Sequence, residues 1–165
     1  MNGKGRTGTA LALILVMAAS LVGCGKMTKP DRENGYATQY AMSAAEYTIF
    51  LSEETAVLEN VLSTRMATAK NVIDGTYDPA KEIENVEEAT SKIVSLQTAV
   101  LTTMPAQGYE SDREALLGHV EDAKQILERY GEALASRDVT TVASLAEEMK
   151  STYVAASGDA NVFYE

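Results

Sequence analysis

Residues 111–134, SDREALLGHVEDAKQILERYGEAL, decide the fold class. Leu116, Val120, Ala123, Leu127, Tyr130 and Leu134 recur at spacings of 4-3-4-3-4. That period puts all six on one face of an α-helix. Ser111 and Glu114 stand three apart at its head and predict a capping box. Working toward the N-terminus, residues 83–104 carry Ile83, Val86, Ala89, Ile93, Leu96, Val100 and Met104 at spacings of three or four. Asp78-Pro79 supplies an N-cap followed by proline at the first helical position. Pro105 and Gly108 end that helix. Toward the C-terminus, Asp138 can cap a further helix whose stripe is Val142, Leu145, Met149, Tyr153 and Ala156. Ala160 and Phe163 continue its face past Gly158.

Residues 36–74 form the longest pattern. Tyr40, Tyr47, Leu51, Leu58, Leu62, Ala69 and Val72 fall in a narrow arc when projected at 100° per residue. Phe50, Val57, Val61, Met66 and Ile73 widen it to about half the helix, which suggests more than one neighbour. Gly75 supplies the stop. Turns are expected near residues 75–78, 105–110 and 136–138. No strand-length alternation of period two occurs. Four helices joined by short loops predict an all-α, up-down-up-down four-helix bundle. The first helix, longer than the rest, is expected to overhang the bundle by two or three turns.

Residues 1–23 carry a different signal. Lys4 and Arg6 precede an apolar run at residues 9–22, TALALILVMAASLV, too short to span a bilayer core of about 20 residues. It ends at Leu21-Val22-Gly23-Cys24, which resembles the lipobox of bacterial lipoproteins. Cys24 is the only cysteine of the 165 residues. The resemblance implies that residues 1–23 are a signal peptide and that Cys24 takes a diacylglycerol, with palmitate-type chains holding the protein on the cell membrane, facing outside the cytoplasm. Removing 23 of 165 residues would leave 142, with 12 basic and 24 acidic side chains and a net charge of −12. Two acyl chains suffice for stable anchoring. Residues 24–35 then read as a lipidated tether and residues 36–165 as the helical bundle domain. The overhang would lie on the membrane side.

The acidic balance argues against nucleic acid as a partner. One His and one Cys do not make the usual zinc sites, and no cofactor or metal is expected. The Glu-x-x-His motif of di-iron bundles is missing, because residue 116 is Leu. Glu53-Glu54, Glu87-Glu88 and Glu147-Glu148 are adjacent pairs that diverge by about 100° on a helix, and Glu88 faces Lys92 at i+4. They read as solvated faces rather than paired-carboxylate chemistry. His119 projects to the edge of its helix's apolar arc and reads as a packing residue.

Glu54 and Arg65 both project into the apolar arc of the first helix. Eleven residues separate them by about 16 Å, so each is expected to find its partner on another helix or in water. They are interior salt bridges or hydrogen bonds that fix helix register, or with Tyr47 the lining of a polar ligand pocket, or they mark a first helix less buried than its projection implies. Tyr36 and Tyr40, on the expected overhang, are candidates for contact with a protein partner or a second copy. The function expected is a membrane-anchored, non-enzymatic binding or scaffold module of the cell envelope. The alternative is a carrier or sensor for a small ligand held around Glu54 and Arg65.

Overall fold

The computed structural model describes residues 42–161. Cys24, Tyr36, Tyr40 and Phe163 lie outside the described residues, as do the signal-like segment and the tether. Four helices make up the fold: α1 (Ala44–Ile73), α2 (Pro79–Thr102), α3 (Glu110–Ser136) and α4 (Val139–Asn161). No strand occurs among the described residues. Each helix packs on its neighbours in the chain, α4 closes the ring against α1, and α1 touches α3 across the middle. This is the antiparallel four-helix bundle expected from the short loops.

The ends follow local chemistry. Asp78 accepts from the Ala80 N–H at 3.0 Å, with Pro79 opening α2. Asp138 accepts from the N–H groups of Thr140 and Thr141 at 3.1 Å each and heads α4. Gly75, at φ 68°, terminates the turn after α1 in the left-handed region that glycine favours. The helix of residues 139–161 runs through Gly158.

Two starts differ from the sequence reading. First, the pattern over residues 36–74 is not one continuous helix. Ser43 is extended, and α1 begins after it with a full capping box. The Ser43 N–H donates to the Glu46 carboxylate at 2.9 Å, and the Glu46 N–H donates to Ser43 Oγ at 3.3 Å. The positions assigned to the overhang are outside the described residues. Second, Ser111 and Glu114 form no capping box. Tyr109 occupies the N-cap with no side-chain cap bond, and the helix is already under way at Glu110. Tertiary contacts set this start. The Tyr109 ring packs edge-on against Tyr47 at 5.7 Å, and its hydroxyl accepts from Thr48 at 2.9 Å.

The core is a seven-residue repeat on every helix. Buried positions include 51, 55, 58, 62, 65, 69 and 72 in α1, with Tyr47 and Val61 buried beside that seam, and run 82, 86, 89, 93, 96 and 100 in α2. They include 116, 120, 123, 127, 130 and 134 in α3, with Ile126 and Ala133 buried beside that seam, and run 142, 145, 149, 152 and 156 in α4. A repeat of 3.5 residues per turn is the seam of a left-handed supercoil. The straight-helix projection drifts from such a seam, so several residues assigned to the apolar arc lie outside it. Val57 and Ile73 are each 41% exposed. Met104, beyond the end of α2, is exposed as well, whereas Met149 is fully buried.

Candidate functional site

Four polar residues interrupt the core: Thr55, Arg65, Glu82 and Thr152. Thr55 returns its hydroxyl to the Leu51 carbonyl at 2.8 Å, one turn back on its own helix. Arg65 and Glu82 instead meet across helices. Arg65 Nη1 donates to both carboxylate oxygens of Glu82 at 3.0 Å each. Glu82 is 0% exposed and Arg65 is 8% exposed.

The rest of the carboxylate is engaged too. Asn85, one turn along α2, donates Nδ2 to Glu82 Oε2 at 3.0 Å. The Tyr130 hydroxyl on α3 donates to Glu82 Oε1 at 3.3 Å. Asn85 Nδ2 also lies 3.0 Å from the Tyr77 hydroxyl, which accepts from it. One buried carboxylate thus ties together α1, α2 and α3. Burial pushes the Glu82 carboxyl above its ordinary value, against the pull of Asn85, Arg65 and Tyr130. Burial, aided by the Glu82 charge, pushes the Tyr130 phenol up as well, so Tyr130 holds its proton and serves as a donor.

Glu82 was not singled out in the sequence, although a signal for it exists. It stands four residues before Val86 and extends the run of Val86, Ala89, Ile93, Leu96 and Val100 by one step of the same alternation. Ile83, the first apolar residue of the stripe, is only partly buried. Asn85 and Tyr77 carry no comparable signal, because neither lies on a stripe.

Arg65 therefore has the cross-helix partner expected of it. Glu54 does not: no hydrogen bond or ion pair reaches its carboxylate among the described residues. The seam passes through Thr55, one residue on, and leaves Glu54 half-buried at its edge. Burial and the charge of Glu53 push its carboxyl up. Tyr47 is fully buried near the start of α1, packed on Phe50 and Tyr109. Its hydroxyl has no hydrogen-bond partner among the described residues. Eighteen residues separate Tyr47 from Arg65, about 27 Å along the helix. The structure does not bring Glu54, Arg65 and Tyr47 together.

His119 is partly buried and pairs with Asp159 of α4, Nε2 to Oδ2, at 2.8 Å. Among the acidic doublets, Glu88 pairs with Lys92 at 2.8 Å, Glu147 with Lys150 at 3.4 Å, and Glu148 with Arg129 across α3 and α4. No cluster of three metal-ligating side chains occurs among the described residues.

Two hollows matter for binding. A polar cleft of about 170 Å³ lies between α1 and α2, bordered by Asn60, Thr64, Arg65, Asn85, Glu88 and Lys92. A larger groove of about 640 Å³ lies along the outside of α2 and α3. Its floor is apolar, made by Ile83, Val86, Leu127, Gly131 and Ala135. Glu87, Glu128 and Glu132 stand on its rim, with Lys124 at one end. Compared with protein-family models, curated proteins and solved structures, the chain matches none.

Proposed function

We propose that this chain is a bacterial lipoprotein: a non-enzymatic helical binding module held on the outer side of a membrane by lipid on Cys24. The observation that carries the anchoring is the order of signals in residues 1–24. A basic start, an apolar run too short to span, and Leu21-Val22-Gly23-Cys24 follow one another at the N-terminal end. No described helix is long and apolar enough to cross a membrane.

The interior supports a structural role for the polar cluster. Glu82 spends its oxygens on Arg65, Asn85 and Tyr130, and no solvent reaches it. A carboxylate so enclosed has no access to a substrate. Binding is then a property of the outer surface. The small-ligand reading keeps only the cleft beside Arg65. Its volume of about 170 Å³ falls short of the roughly 300–1,000 Å³ of ordinary ligand pockets.

Replacing Cys24 by Ala tests the anchoring. The variant is expected to accumulate as uncut precursor or to leave the membrane fraction in a bacterial host. A mature-sized Cys24→Ala protein that still sediments with membranes would refute it.

A further inference from the structure

The groove between α2 and α3 combines an apolar floor with carboxylates that have nothing to do in the bundle. Glu87, Glu128 and Glu132 are exposed, and among the described residues no cation pairs with them. Lys124, the one basic residue at the groove, is engaged by Glu121 at 3.3 Å. The floor is opened by a residue that the bundle does not need. Gly131 sits inside α3, where glycine costs about 1 kcal/mol against alanine. No positive φ requires it there. A Cβ at that position would meet only Val86 Cγ1, at an ordinary 3.6 Å. The absent side chain leaves room between the helices.

The dimensions suit a helix. The groove follows α2 from Ile83 to Thr90 and α3 from Lys124 to Ala135. At 1.5 Å per residue these are about 10 and 16 Å, the length of two to three helical turns. Charge then selects among occupants. A second copy of the chain docked through the same groove would set these carboxylates against their own equivalents, and an anionic lipid surface would meet the same repulsion.

Resting on the binding-module reading above, we infer that the α2/α3 groove takes a cationic amphipathic helix of a partner protein. Its apolar residues, spaced i, i+3 or i+4, and i+7, would sit on Ile83 and Ala135 and fill the space over Gly131. Its Lys or Arg residues would face Glu87, Glu128 and Glu132.

The test uses the full chain in a non-ionic detergent, with empty micelles as control, and a labelled helical peptide with Leu on one face and Lys on the other. Its counterpart carries Glu in place of Lys. Fluorescence anisotropy is expected to show binding of the Lys peptide and none of the Glu peptide. Glu128→Gln combined with Glu132→Gln should weaken binding by about tenfold or more, a step of 1.4 kcal/mol. Gly131→Leu, which fills the floor and leaves every charge in place, should weaken it as much. Glu114→Gln, outside the groove on the same helix, should change nothing. The exposed Glu→Gln changes keep the test open should Gly131→Leu disturb the fold. No binding of the Lys peptide, equal binding of both peptides, indifference to Gly131→Leu in a folded variant, or equal weakening by Glu114→Gln would each overturn the assignment. So would a dimer that Gly131→Leu dissociates, which would make the occupant a second copy. Loss of the groove assignment with Cys24 still lipidated would leave the anchoring reading intact.

Discussion

Arg65 reaches from α1 to α2 and holds both oxygens of Glu82 through a single nitrogen, Nη1, at 3.0 Å. The pair is almost wholly out of solvent. Such pairs contribute little net stability compared with apolar residues of similar volume, because desolvation offsets the attraction. Removing one partner is another matter, since it strands a buried charge. Arg65→Met and Glu82→Leu should each destabilise the bundle by about 3–5 kcal/mol, while the double variant should be close to neutral or more stable. Urea denaturation of the four proteins measures this. Two single losses that merely add in the double variant would show that the residues do not act as a pair.

The two buried tyrosines should respond in opposite ways to loss of the hydroxyl. Tyr130 donates to Glu82, so Tyr130→Phe removes one of the groups that satisfy a buried carboxylate and should cost about 1–3 kcal/mol. Tyr47 has a buried hydroxyl with no partner among the described residues. Tyr47→Phe should therefore be neutral or stabilising by about 1 kcal/mol. Thermal unfolding of both variants would settle the order, and a Tyr47→Phe protein less stable than the Tyr130→Phe protein would contradict it.

Much of this arrangement was legible in the sequence. Caps at Asp78 and Asp138, the stop at Gly75 and four helical stripes define the bundle without any tertiary information. The placement of Glu54 was not legible in a straight-helix projection. Over a long helix that projection drifts away from a 3.5-residue seam, and the drift moved Glu54 inward and hid the role of Thr55. The start of α3 depended on packing between Tyr109 and Tyr47, residues 62 apart in the chain, which no local rule contains. Glu82 continues a visible stripe. That signal is weak, because a charged residue at the head of a helix is ordinarily a first-turn charge favoured by the helix dipole.

Glu54 gives a pH-dependent test. Its folded-state pKa is raised, by burial first and by Glu53 second. A carboxyl raised on folding binds its proton more tightly in the folded chain. Its favourable contribution is therefore full below the unfolded value near 4.5 and is lost as pH rises through the folded value. Glu54→Gln should raise the unfolding free energy at pH 7, by no more than about 1 kcal/mol because the site is partly solvated. The advantage should fade as pH falls toward 4. A Gln variant with the same gain at both ends of that range would rule out titration as the cause.

Gly131→Ala should stabilise α3 by about 1 kcal/mol. The new Cβ meets Val86 at 3.6 Å, which is ordinary contact. Chemical denaturation measures the gain. Destabilisation would mean that α2 and α3 pack more closely at Gly131 than this contact allows.

The most direct measurement on the anchored reading is the mass of the N-terminal peptide of the protein extracted from bacterial membranes. We predict Cys24 as the first residue, its thiol converted to a diacylglyceryl thioether. A free thiol at Cys24 in a chain that still begins at Met1 would contradict it.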